Sequence, residues 1–132
     1  MSRWVDVCDV EDLVPDRGAG ALVGAYHVAV FRLSSGEIYA LGNHDPFSGA
    51  NVLARGIVGS AGDVAKVASP IYKQAFDLRT GVCLSDPDVR VPVFATRVNG
   101  GRIELSDRPV PPARPGTASA DSPLPQDDKE EQ

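Results

Sequence analysis

Turn-forming residues cut this chain about every 8–12 residues, a rhythm that leaves room for strands but not for a helix of three turns. The clearest breaks are Ser34-Ser35-Gly36-Glu37, Ala61-Gly62-Asp63, Arg79-Thr80-Gly81 and Asn99-Gly100-Gly101. Between them lie short runs that are apolar throughout or alternate with period two. Trp4-Val5-Asp6-Val7-Cys8 alternates like a half-buried strand. Asp9 predicts the cap of a single helical turn through Asp12 and Leu13, ended by Pro15. Residues 21–33 read as one long apolar strand, and 26–33 with 37–41 should form a hairpin about the Ser34–Glu37 turn. Short strands are predicted at 56–59, 65–68 and 75–78. Val89, Val91, Val93 and Ala95 share one face, and Pro92 within that run marks an edge or a bulge. Asn99-Gly100-Gly101 turns the chain into a last strand at 102–105. The expected class is all-β, an antiparallel sandwich or small barrel.

The composition divides the 132 residues in two. All eight aromatic residues precede residue 95, whereas six of the 11 prolines fall in 109–132. That last segment holds five acidic and two basic residues, and its only large aliphatics are Val110 and Leu124. It buries too little apolar surface to offset its ordering entropy, so residues 109–132 are expected to be a disordered acidic, proline-rich tail. The domain proper is then 1–108. The net charge of −5 argues against a nucleic-acid partner, which demands a basic face. No run approaches the roughly 20 apolar residues of a membrane helix, and no basic-then-apolar leader opens the chain. A cytoplasmic, single-domain protein is the expectation. Two cysteines and two histidines nearly rule out a disulfide framework and leave little for metals.

The most informative stretches are Asp45-Pro46-Phe47-Ser48-Gly49-Ala50 and Ser69-Pro70-Ile71-Tyr72-Lys73-Gln74-Ala75-Phe76-Asp77-Leu78-Arg79-Thr80-Gly81. Together they resemble the two cluster-binding loops of Rieske domains, Cys-Pro-His-x-Gly-Ala and Cys-Pro-x-His-Gly-x-x-Phe-Asp-Leu-x-Thr-Gly. The framing residues match, but the four ligand positions hold Asp45, Phe47, Ser69 and Tyr72. A Rieske [2Fe–2S] centre takes two thiolates and two imidazoles, and none of these four supplies either. With 40–50, 66–78, the opening strand and Val91-Pro92-Val93-Phe94, the chain resembles the small subunit of the assimilatory NAD(P)H-dependent nitrite reductase, over about residues 3–106. The resemblance implies a Rieske-like β domain without a cofactor of its own. It also implies a partner, the large catalytic subunit, with sirohaem, an iron–sulfur cluster, FAD and NAD(P)H, reducing nitrite to ammonium. The chain alone should then be non-catalytic.

Other residues offer alternatives to this reading. Cys8, Cys83, His27 and His44 have the stoichiometry of a metal site but not its close spacing. They read as core thiols and separate histidines. Asp45 is expected as an Asx-turn residue before Pro46 rather than a general acid. His44, Asp45, Tyr72, Lys73 and Gln74 form the candidate partner-facing loops, with Phe47 and Tyr72 filling the vacated space and Lys73 outside. No phosphate-binding glycine loop or nucleophile elbow is present. Two rival functions fit the same frame: a Rieske-type [2Fe–2S] electron-transfer ferredoxin, and a stand-alone β protein-interaction module.

Overall fold

The structure is a computed structural model that describes residues 3–111, so most of the expected tail lies outside the described residues. Ten strands follow one another: β1 (Trp4–Asp9), β2 (Arg17–Val23), β3 (Tyr26–Arg32), β4 (Ile38–Gly42), β5 (Ile57–Ala61), β6 (Val64–Ala68), β7 (Ala75–Asp77), β8 (Val93–Phe94), β9 (Thr96–Asn99) and β10 (Arg102–Ser106). Only two three-residue 3₁₀ turns, Val10–Asp12 and Leu53–Arg55, interrupt them among the described residues. The first is the turn expected after Asp9, whose N–H donates to the Asp12 carboxylate at 3.2 Å.

The strands form three antiparallel sheets, ordered β1-β10-β9, β2-β3-β4-β8 and β5-β6-β7. Strands β3 and β4 serve both cores. Ala29, Phe31 and Leu41 pack with Val67, Phe76 and Leu78 on one side, and Val28, Val30, Ala40 and Phe94 pack with Ile103 and Leu105 on the other. A strand buried on both faces reads as a continuous apolar run, and that is why 26–33 shows no alternation.

The run predicted as one strand over 21–33 is two. Gly24 and Ala25 form a two-residue turn, with Gly24 at φ 59° and Val23 paired with Tyr26. Flanking valine and tyrosine hide this break, because the turn holds no polar residue. The expected alternation at 89–95 is also broken up. Only Val93 and Phe94 pair with β4, while Val91 and Cys83 donate to Gly81 and Val89 across a loop. Pro92 lies outside the strands, and its carbonyl accepts from Gly42 N–H at 2.8 Å. The last hairpin turns at Gly100-Gly101, both with positive φ, as the sequence expects.

Candidate functional site

The segments that carry the motif are the loop 43–52 after β4 and the loop 69–74 between β6 and β7. They are hydrogen-bond copies of each other. Asp45 N–H donates to the Ala50 carbonyl at 2.8 Å, and Ser69 N–H to the Gln74 carbonyl at 2.9 Å. Gly49 N–H returns to the Asp45 carbonyl at 2.8 Å, and Lys73 N–H to the Ser69 carbonyl at 3.0 Å. Phe47 N–H donates to Asp45 Oδ1 at 2.9 Å, and Ile71 N–H to Ser69 Oγ at 3.3 Å. The fourth residue after each leading position is left-handed, Gly49 at φ 77° and Lys73 at φ 63°.

The leading side chains meet. Ser69 Oγ donates to Asp45 Oδ2 at 2.6 Å, and Ser48 Oγ donates to the same oxygen at 3.0 Å. Both Asp45 and Ser69 are buried, at 0% and 1% exposure. Burial pushes the Asp45 carboxyl up, but the bonds from Ser69, Phe47 and Ser48 outweigh it and hold the group below the ordinary carboxylate range. Asp45 is thus the Asx-turn residue that was expected. It is not a surface residue, which corrects its place among the candidate partner-facing positions.

The remaining candidates separate by exposure. Phe47 is half-buried and packs on Phe76, ring centroids 6.2 Å apart. Tyr72 is 62% exposed, so it does not fill the vacated space as expected; Phe47 alone turns toward the core. Ile71, beside it, is 45% exposed, and Lys73 is exposed too. Gln74 is half-buried, and its Oε1 accepts from Ser85 Oγ at 2.6 Å, tying the loop to the segment after Cys83. His44 is exposed, with Nδ1 3.2 Å from Asn51 Oδ1. Asn43 escaped sequence reasoning. Its Oδ1 accepts from Ala54 N–H at 2.7 Å and its Nδ2 donates to the Asn51 carbonyl, bracing the first loop.

Cys8 on β1, His27 on β3, His44 and Cys83 stand on separate elements. No group of three or more His, Cys, Asp or Glu residues among those described is placed to hold a metal ion. Two sulfurs on one tetrahedral metal, with bonds of about 2.3 Å, stand about 3.8 Å apart. The Asp45 and Ser69 oxygens are 2.6 Å apart and hydrogen-bonded to each other, and neither position offers a thiolate. With a phenyl ring and an outward phenol as the other two groups, the residues present do not fit a [2Fe–2S] centre.

Comparison with known proteins agrees with the fold. The Rieske-like [2Fe-2S] domain family matches residues 3–106. The nitrite reductase (NADH) small subunit of Escherichia coli K12 is 39% identical over 106 residues, 80% of this chain and 98% of that one. A crystal structure described as an NADH-dependent nitrite reductase small subunit from Mycobacterium tuberculosis superposes with a TM-score of 0.79 at 49% identity, covering 83% of this chain and 99% of that one. A nitrite reductase [NAD(P)H] large subunit from Klebsiella oxytoca is 37% identical over 105 residues, 80% of this chain but 11% of that protein. This chain belongs to the nitrite reductase small-subunit family of Rieske-like domains.

Proposed function

We propose that this chain is the accessory small subunit of an NAD(P)H nitrite reductase. It binds the large catalytic subunit and carries no iron–sulfur cluster of its own. The observation that carries the partner is the Klebsiella oxytoca protein, in which a segment similar to this whole domain is part of a large subunit. A domain found both fused to and separate from the same kind of chain belongs beside it. The cluster-free reading is supported by the twin loops, whose leading positions bond to each other rather than leaving donors free. Sirohaem, the iron–sulfur cluster, FAD and the nicotinamide then belong to the large subunit, and the work of the complex is cytoplasmic nitrite reduction to ammonium.

The docking face is the loop tip. It presents Pro46, Pro70, Ile71 and Tyr72 as exposed apolar surface, with His44 and Lys73 beside them and Asp45 withdrawn. Residues 1–108 are the folding unit, and the start of 109–132 still leans on it, Val110 N–H donating to the Val93 carbonyl at 2.7 Å. Co-expression of the tagged chain with the large subunit tests the assignment. The two should co-purify, and deletion of the small chain should lower nitrite reduction. A chain that never retains the large subunit, or a stoichiometric iron–sulfur absorption from the isolated chain, refutes it.

A further inference from the structure

We infer that the Asp45–Ser69 hydrogen bond is a clasp: it joins the two loops where the motif would place a shared metal, and so fixes the shape of the docking tip. The two loops are 24 residues apart in sequence, and each closes on itself through its own backbone bonds. Among the hydrogen bonds between described residues, Ser69 Oγ to Asp45 Oδ2 is the one that runs from loop to loop. It is buried, short and charge-assisted, the strong class of hydrogen bond. Each partner is committed on both sides. The Ser69 hydroxyl donates its O–H to Asp45 in a hydrogen bond and accepts from the N–H of Ile71, the residue next to Tyr72. The Asp45 carboxylate accepts on Oδ1 from Phe47 N–H and on Oδ2 from Ser48 and Ser69. A continuous chain of bonds therefore runs from the Phe47 backbone through Asp45 and Ser69 to the Ile71 backbone. Loss of the hydroxyl removes the link and leaves a buried carboxylate short of one donor. Asp45 and Ser69 are positioning residues: withdrawn from the surface, they act on a partner through Ile71, Tyr72 and Lys73.

This consequence for docking rests on the reading above, whereas the clasp itself is testable in the isolated chain. Amide hydrogen exchange and ¹⁵N-resolved spectra are compared for wild type, Ser69→Ala, Ser69→Thr and Ile103→Ala. The last change empties space in the other core and controls for general destabilisation. Ser69→Ala should speed exchange at Asp45 and Gly49, in the opposite loop, at least tenfold beyond its effect on β3 and β10, and Ser69→Thr should restore protection. Exchange at Asp45 and Gly49 rising no more than in Ile103→Ala overturns the clasp. Affinity for the large subunit should fall at least tenfold in Ser69→Ala and hold in Ile103→Ala. Loosened loops with unchanged affinity would overturn the docking face and leave the clasp standing.

Discussion

Gly49 and Lys73 occupy equivalent places in two copies of one hydrogen-bonded loop, and this sets up a paired prediction of opposite sign. Both residues are left-handed, at φ 77° and 63°. An L-residue in that region costs about 1–2 kcal/mol, because its Cβ crowds the following carbonyl, whereas glycine is free of this cost. Glycine gives back about 0.5–1 kcal/mol through the greater freedom of its unfolded chain. The balance favours glycine by about 0.5–1 kcal/mol at either site. A Cβ built on Gly49 meets nothing within 4 Å, so Gly49→Ala reads the backbone cost with no clash added. Lys73 is exposed and has no side-chain partner among the described residues, so Lys73→Gly removes strain without removing a contact. Gly49→Ala should therefore lower stability by about 0.5–1 kcal/mol and Lys73→Gly should raise it by a similar amount. In urea, with a slope of about 1–3 kcal/mol/M, the midpoints should move apart on the order of 0.5–1 M in total, with unchanged slopes. Two shifts of the same sign would refute the equivalence of the loops. A loss in Lys73→Gly alone would show that the lysine side chain contributes something its surroundings do not display.

Three further outcomes follow from other parts of the fold. Gly81→Ala should cost about 3 kcal/mol or more by thermal or chemical unfolding, since φ is 77° and the new Cβ would sit 2.1 Å from the Val91 carbonyl oxygen. Stability should fall in acid as Asp45 protonates. Its folded-state pKa is lowered, so its contribution is whole above the ordinary aspartate value and is lost as pH drops through the lower folded value. Asp45→Asn should flatten that part of a pH-stability curve, and an unchanged curve would remove Asp45 from the account. Tyr72→Ala should change stability by no more than about 0.5 kcal/mol, as expected for an exposed side chain, while weakening capture of the large subunit in a titration; undiminished capture would move the docking face elsewhere.

Much of the strand order was legible because turn residues are local signals. The hairpins at Ser34–Glu37 and Asn99–Gly101 depend on residues that name their own backbone geometry. The Gly24 turn was not legible, because a glycine between apolar neighbours looks the same inside a strand as between two. At the site, the motif gave the loops and the four substituted positions, yet it said nothing of where each side chain turns. A carboxylate before a proline is ordinarily solvated, and Asp45 is inside only because three donors, one of them 24 residues away, converge on it. Tyr72 has the bulk to fill a vacated site and does not, since Phe47 already lies against Phe76 and Asp45 and Ser69 have closed on each other. The twin nature of the loops was the least visible feature. One shows Asp, Phe and Gly where the other shows Ser, Ile and Lys, and only the backbone bonds and the two positive φ angles make them alike. Lysine in a glycine position is therefore better evidence than a second glycine would be. It shows that the surrounding bonds, rather than local preference, set the loop's path, as a tip of fixed shape requires.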